Sequence, residues 1–214
     1  MKPFTKDKAK EFFDLLAKAH PDPQTELHSV NNYTLLVAVA LSAQSTDVGV
    51  NKATKELFSS VTTPAQMLDL GEEGLKQHIK TIGLYNTKAK NIIKAAQRLV
   101  DLHGGEVPDD RAALEALPGV GRKTANVVLN VAFGHPTVAV DTHLFRLGNR
   151  IGIAPGKTPL DVEKAYEKII PKEHIHDAHI GLILHGRYVC KAKNPLCDQC
   201  PVRHLCPYPL ENGL

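Results

Sequence analysis

The sequence predicts an all-α fold of about ten short helices, and three observations support this prediction. First, apolar residues recur at three- and four-residue spacing through most of the 214 residues. Second, Thr63-Pro64 and Thr158-Pro159 each combine a helix N-cap with proline at the first helical position. Third, the one strand-like segment, Thr137–Val140, has no candidate partner strand.

The first half of the chain predicts five helices. Asn32–Ala43 is apolar nearly all round, which is typical of a buried central helix. A longer amphipathic helix ends at about His103, with Thr87 as its expected N-cap and Gly104-Gly105 as its stop. The other three are predicted at Thr5–Ala19, at Thr46–Phe58 and from Thr63-Pro64 onward.

The second half predicts a tight helical hairpin and then three further helices. A short helix over Ala112–Leu117 and a longer one over Arg122–Ala132 flank the turn Pro118–Gly121. Asp161 stands three residues after Thr158, as in a capping box, and opens the next amphipathic segment. The remaining helices are predicted at Thr142–Ile151 and His174–Tyr188.

Composition excludes several classes of protein. With 43% hydrophobic and 23% charged residues the chain is globular rather than disordered or fibrous. The net charge of +3 is too small to indicate a nucleic-acid partner by itself. The longest apolar run, Leu35–Leu41, is far shorter than the ~20 residues that span a bilayer. We therefore expect a soluble, monomeric, cytoplasmic protein with no targeting signal and no membrane contact.

The four cysteines form one local group near the end of the chain. Cys190, Cys197, Cys200 and Cys206 follow a Cys-x6-Cys-x2-Cys-x5-Cys spacing. In a reducing compartment such clustering favours metal binding over disulfides. Four thiolates suit tetrahedral Zn2+ and an iron–sulfur cluster equally well, so spacing leaves both open.

The hairpin turn is suited to holding a phosphate. Gly119 and Gly121 leave backbone N–H groups uncovered by side chains, and the helix that begins at Arg122 adds the positive end of its dipole. A plain helix–helix turn that needs glycine only for its geometry is the alternative interpretation.

Lys123 and Asp141 each allow a structural and a chemical interpretation. The helix dipole disfavours the charged form of Lys123, and burial would raise the fraction of nucleophilic free amine further. Alternatively, Lys123 contacts a phosphate bound at the hairpin. Asp141 follows an apolar stretch as the expected N-cap of the Thr142 helix. The same carboxylate could instead stabilise positive charge on a sugar and accept a proton from an amine.

The string Leu117–Ala125, followed by Gly134, Pro136 and Asp141, resembles the helix-hairpin-helix element of a superfamily of DNA-repair glycosylases. The resemblance extends along the chain, and within the superfamily it is strongest to the endonuclease III family. Three further segments resemble the family, namely Leu41–Asp47, Val140–His143 and Leu184–Arg187. The last of these leads into the cysteine loop.

The resemblance implies base-excision repair by a bifunctional enzyme. Such an enzyme removes oxidised pyrimidines from double-stranded DNA and cleaves the abasic site by β-elimination through a lysine Schiff base. Lys123 is then the nucleophile and Asp141 its partner, with Thr142 and His143 supporting Asp141. Members that only remove a base lack a lysine at this position, so Lys123 favours the bifunctional reaction.

The same resemblance implies a two-lobed arrangement and a cofactor. Residues 25–135 would form a six-helix barrel with the hairpin at about 112–132. Residues 1–24 and 136–214 would form a second lobe with the cluster loop at 190–206. The cysteine spacing matches the family's [4Fe–4S] pattern, with zinc as the alternative.

Further DNA-contacting residues also follow from the resemblance. Gln44 is the expected gap filler after base flipping, and Ile82 or Leu84 the expected wedge, although core packing is the alternative for both. Ser42 and Asp47 are expected to line the base pocket. The expected contacts to the DNA backbone come from the hairpin and from the basic cysteine loop, namely Gly119, Gly121, Arg122, Lys191 and Lys193.

Overall fold

The computed structural model describes residues 4–213, and the secondary structure of this part of the chain consists of helices joined by loops, without a single strand. The predicted all-α class is therefore confirmed, and Thr137–Val140 is a buried segment that belongs to no helix. The twelve α-helices of these residues are α1 (Lys6–Ala19), α2 (Asn32–Ser42), α3 (Asp47–Thr54), α4 (Leu57–Ser60), α5 (Pro64–Ile79), α6 (Tyr85–His103), α7 (Arg111–Glu115), α8 (Arg122–Phe133), α9 (Thr142–Ile151), α10 (Pro159–Ile169), α11 (Ala178–Tyr188) and α12 (Tyr208–Glu211).

The chain divides into two compact units. The hairpin unit is Thr25–Gly134, and the terminal unit combines the chain up to Gln24 with the chain from His135 onward. Each has its own hydrophobic core. The six-helix barrel and the domain boundaries expected from the sequence remain predictions, and the ends of the expected second lobe, residues 1–3 and 214, lie outside the described residues.

In the hairpin unit, α2 is the buried central helix that its apolar sequence predicts. Eight of its eleven residues are buried, and it packs against α3, α6 and α8. An Asn31–Thr34 capping box fixes where it begins. Helices α5 and α6 pack along each other, and α7 packs against α8 across the Pro118–Gly121 turn. The hairpin therefore rests directly on the central helix.

In the terminal unit, α9 packs against both α10 and α11, and α11 also packs against α1. The core between these helices is centred on Phe12, Leu144, Leu147 and Tyr166, none of which is exposed. This packing fixes the start of α9, where Asp141 lies. No helix within residues 4–213 combines the length and apolar character that crossing a membrane needs.

Most helix starts agree with the capping signals, and three predicted bounds are wrong. Thr63 and Thr158 form the expected capping boxes. Helix α6, however, starts at Tyr85 rather than at Thr87, because the Lys88 N–H already bonds the Leu84 carbonyl (3.0 Å). The helix expected over 46–58 ends at Thr54 and is followed by a turn and the separate helix α4.

The third correction concerns the helix expected over 174–188, which begins only at Ala178. Lys172–His174 forms a separate 3₁₀ turn instead. Its His174 Nε2 lies 2.7 Å from Asp14 Oδ1 on α1, and this contact holds the turn apart from the following helix.

Candidate functional site

The hairpin turn is anchored by buried apolar residues and leaves its glycines exposed. Leu117 and Val120 are buried, and the Val120 N–H donates to the Leu117 carbonyl (3.1 Å). Gly121 is the N-cap of α8, and no side chain caps this helix start. The first N–H groups of α8 are thus available to an anion, as the sequence predicts.

Both the backbone conformation and the neighbouring atoms require glycine at position 119. Its φ is +81°, in the left-handed region that favours glycine. A Cβ at this position would lie 2.9 Å from the Asn91 Cβ on α6. Gly121 has open space around it, so its role is to leave the helix start uncovered.

Lys123 is the second residue of α8, and its side chain is exposed. The helix-start position predicted from the sequence is confirmed, while the burial that would further favour a free amine is absent in the DNA-free protein. Beside it, Arg122 Nη1 lies 4.0 Å from Glu115 Oε1 on α7, an exposed ion pair across the hairpin.

Asp141 is half-buried and forms the N-cap of α9, as its sequence position predicts. Its Oδ1 accepts hydrogen bonds from the backbone N–H groups of His143 (2.8 Å) and Leu144 (2.9 Å). These bonds fix the carboxylate at the positive end of the helix dipole. His143 supports Asp141 through its backbone N–H, and Thr142 is the first residue of α9.

Arg146, which the sequence analysis missed, connects three segments of the terminal unit. Its guanidinium donates to the carbonyls of Gly186 (2.7 Å) and Cys190 (3.1 Å) and lies 3.1 Å from His143 Nδ1. At Gly186 a Cβ would lie 2.8 Å from the His143 Cβ, so this glycine lets α9 and α11 approach closely. The sequence signal that could have identified Arg146 is its position three residues after His143, just beyond the capping Asp141.

All four cysteines line one depression, whose empty volume is about 340 Å³ including its opening. Burial raises the pKa of the Cys200 thiol, and that of Cys206 to about 11. The guanidinium of Arg150 lies beside Cys190, with its Nη1 3.4 Å from the Cys190 Sγ. Four thiols around one cavity, with a cation beside one of them, fit a bound metal centre.

Two further side chains, Arg150 and His185, lie beside this depression. Arg150 also donates to the carbonyls of Lys191 (2.7 Å) and Ala192 (3.1 Å). Burial lowers the pKa of His185 to about 4, so this ring is neutral near pH 7, and its Nε2 lies 3.7 Å from Cys200 Sγ. Lys191 and Lys193 are exposed on the loop, where a phosphate could reach them.

Two neighbouring loops of the hairpin unit hold the remaining candidates. Gln44 is exposed with φ +56°, between a half-buried Ser42 and a half-buried Asp47. Ile82 is only 4% exposed and belongs to the core, which agrees with the packing alternative. Leu84 is 61% exposed, with φ +60°. Of the two expected wedge residues, only Leu84 is therefore accessible.

Comparison with known proteins agrees with this arrangement of hairpin and cysteine loop. The pattern of the HhH-GPD superfamily of base excision DNA repair proteins matches residues 37–172. The pattern of the iron–sulfur binding domain of endonuclease III matches residues 190–206, which begins and ends on the first and last cysteine. The metal centre of this loop is therefore an iron–sulfur cluster.

Individual relatives match nearly the whole chain. Endonuclease III of Escherichia coli (strain K12) is 58% identical over 203 residues, 95% of this chain and 96% of the relative. A trapped covalent endonuclease III–DNA intermediate superimposes with a TM-score of 0.91 at 48% identity, covering 98% of this chain and 99% of that one. A non-covalent endonuclease III–DNA complex gives the same TM-score and identity, covering 98% of both chains.

Proposed function

The chain belongs to the endonuclease III family of the HhH-GPD superfamily, and from this premise we propose which of its residues perform the repair reaction. It is a base-excision repair enzyme, a DNA glycosylase that also cleaves the resulting abasic site. Its substrates are oxidised pyrimidines in double-stranded DNA. We propose that it acts in the cytoplasm, where bacterial DNA lies.

Lys123 is the proposed nucleophile. Its neutral amine attacks the sugar C1′, the bond from C1′ to the base breaks, and the base leaves with a proton. Ring opening then gives a Schiff base, which acidifies the C2′ proton. Loss of that proton expels the 3′ phosphate, and water finally releases the lysine. Because Lys123 is exposed in the free protein, the bound DNA has to exclude water from the amine.

Asp141 is the proposed acceptor of the proton that the attacking amine loses. Its Oδ1 is held by two backbone N–H groups, so the carboxylate needs no reorganisation during the reaction. The fixed negative charge also stabilises the positive charge that builds on the sugar as the base departs.

The observation that carries this proposal is a lysine at the uncapped start of α8, directly after the hairpin. Borohydride reduces a Schiff base and should covalently trap the wild-type protein on a duplex with one oxidised pyrimidine. Lys123→Ala should form no trapped complex, whereas Lys94→Ala, at an exposed lysine of α6, should trap like wild type. Trapping by Lys123→Ala at the wild-type rate would contradict the assignment.

The role of Asp141 can be separated from its role as a helix cap. Asp141→Asn keeps a side-chain oxygen for the His143 and Leu144 N–H groups and should unfold at nearly the wild-type temperature, yet lose most base removal. Asp141→Ala should also lose about 0.5–2 kcal/mol of stability with the cap. If Asp141→Asn removes the base as fast as wild type, Asp141 is only a cap.

For the cluster we propose the [4Fe–4S] form rather than zinc. All four cysteines line one depression, and the loop from Cys190 to Cys206 matches the pattern of an iron–sulfur binding domain. Four thiolates around one depression can ligate a multi-atom cluster, which would hold the loop folded.

Metal analysis distinguishes the two forms. The purified protein should contain about four iron and four acid-labile sulfide per chain and no stoichiometric zinc. One zinc per chain without sulfide would overturn the assignment.

The proposed DNA contacts are divided between backbone and base. Gly119, Gly121 and Arg122 bind phosphates at the hairpin, and Lys191 and Lys193 bind them at the cluster loop. Gln44 and Leu84 fill the space of the flipped nucleotide, and Ser42 and Asp47 line the base pocket. Replacing Lys191 and Lys193 together with alanine should reduce the salt dependence of binding, and an unchanged slope would exclude that contact.

A further inference from the structure

Lys88, on α6, is a buried lysine that the repair reaction does not use. It is only 9% exposed, and burial lowers its pKa. Its Nζ donates to the Leu41 carbonyl (2.9 Å) and to Ser45 Oγ (2.9 Å). No carboxylate of residues 4–213 acts on the charge of Lys88, so these neutral acceptors offset the cost of burying the ammonium.

The two acceptors lie on either side of Gln44. Leu41 is in the last turn of α2, and Ser45 follows Gln44 in a turn closed by the bond from the Ser45 N–H to the Ser42 carbonyl (3.0 Å). Gln44 itself has the left-handed backbone that non-glycine residues rarely adopt. Residues 41–45, the Gln44 loop, are therefore held from both ends by one side chain.

The backbone of Lys88 holds the other loop. Its N–H donates to the Leu84 carbonyl (3.0 Å) in the first turn of α6, and Leu84 also has a left-handed backbone. A Cβ on the neighbouring Gly83 would lie 3.8 Å from the Gln44 carbonyl oxygen. Residues 82–84, the Leu84 loop, therefore lie close to the Gln44 loop, and Lys88 is bonded to both.

We propose that Lys88 is a positioning residue that keeps Gln44 and Leu84 in register with each other, so that both can fill the space left by the flipped nucleotide. Two left-handed non-glycine residues side by side are strained and persist only where the surrounding structure fixes them. A buried cation with two directed hydrogen bonds supplies that constraint. The inference rests on the gap-filling role proposed above for Gln44 and Leu84.

The test compares two substrates for Lys88→Met, which keeps the volume of the side chain and removes its donors. A duplex with one oxidised pyrimidine requires filling of the vacated space, whereas an abasic site in single-stranded DNA does not. Single-turnover cleavage of the duplex should fall by about tenfold or more, because small misplacements are costly in oriented reactions. Cleavage of the single strand should change by less than about twofold.

Three further variants make the result decisive. Lys90→Met, at an exposed lysine on the same helix, should match wild type on both substrates. Ser45→Ala removes one of the two acceptors and should reduce only duplex cleavage, by a smaller factor. It also decides the question should Lys88→Met fail to fold. Leu84→Ala reports on the gap-filling role itself and should be defective on the duplex.

Each other result counts against the proposal. An equal loss on both substrates would show that Lys88 only maintains the fold, and wild-type duplex cleavage would show that it positions nothing. If Leu84→Ala is defective while Lys88→Met and Ser45→Ala are not, the gap-filling role stands and the role of Lys88 is overturned. If Leu84→Ala is also normal, the gap-filling role fails and the role of Lys88 fails with it.

Discussion

The two helical hairpins of the hairpin unit have similar sequences and different architectures. Ile82-Gly83-Leu84 precedes α6, and Pro118-Gly119-Val120-Gly121 precedes α8. In the first hairpin the left-handed residue is Leu84, which presents an exposed apolar side chain. In the second it is Gly119, beside which the backbone N–H groups of α8 stay uncovered.

The lysines near the two helix starts differ in the same way. Lys88 is buried and fixes two loops through hydrogen bonds, whereas Lys123 is exposed and available for chemistry. The distinctive groups of the first hairpin are therefore two side chains, the exposed Leu84 and the buried Lys88. Those of the second hairpin are the backbone N–H groups at the start of α8 and the exposed amine of Lys123. The two similar sequences therefore differ in which residue takes the left-handed φ, Leu84 in the first hairpin and Gly119 in the second.

The largest effect is expected at the second hairpin. Gly119→Ala combines a positive φ with a Cβ placed 2.9 Å from the Asn91 Cβ. Strain of about 1–2 kcal/mol and overpacking of about 1–3 kcal/mol should together lower the free energy of unfolding by about 2–5 kcal/mol. Urea denaturation followed by circular dichroism measures this loss.

Substitutions at two other glycines separate the contribution of backbone strain from that of overpacking. Gly104→Ala has a positive φ and nothing within 4 Å, so only the strain of about 1–2 kcal/mol should remain. Gly121→Ala has neither feature and should cost less than about 1 kcal/mol, as expected for alanine at an N-cap. Equal losses for the three variants would contradict the close approach of Gly119 to α6.

At the first hairpin the same reasoning predicts a change in the free energy of unfolding of the opposite sign. Leu84→Gly relieves the left-handed strain and removes an exposed side chain, while it adds flexibility to the unfolded chain. The free energy of unfolding should stay constant or rise by up to about 1 kcal/mol, yet duplex cleavage should fall. A clear loss of stability in Leu84→Gly would mean that the Leu84 side chain contributes to packing rather than filling the space of the flipped nucleotide.

The sequence predicted the features that depend on local chemistry. Thr63, Thr158 and Asp141 cap their helices as expected, since an oxygen-bearing side chain before an apolar run satisfies free N–H groups. The uncapped start of α8 was likewise readable from Gly121. The start of α6 was not, because Leu84 has no capping side chain and a bond from the Lys88 N–H begins the helix.

Long-range contacts account for what could not be predicted. Lys88 reaches Leu41 across 47 residues and Arg146 reaches Cys190 across 44, and no local spacing marks either contact. The choice between Ile82 and Leu84 needed burial, which depends on how the whole unit packs. The roles proposed for Lys123 and Asp141 rest on family resemblance, since their local surroundings also fit a phosphate contact and a helix cap.

The smallest effect concerns how each hairpin is braced. The first is braced by the buried bonds of Lys88, and the second carries the exposed Arg122–Glu115 pair at 4.0 Å. Glu115→Gln should therefore change the free energy of unfolding by less than about 0.5 kcal/mol, because exposed pairs contribute little.

The same change should nevertheless tighten DNA binding, because it removes a negative charge beside the proposed phosphate site. We expect the Kd for a duplex with an uncleavable abasic-site analogue to fall by about twofold at low salt and the difference to vanish as salt screens the charge. Glu106→Gln makes the same change in net charge in the loop after α6 and should leave the Kd nearly unchanged. Equal tightening by both variants, measured by fluorescence anisotropy, would assign the effect to net charge and show that Glu115 has no local influence on the hairpin.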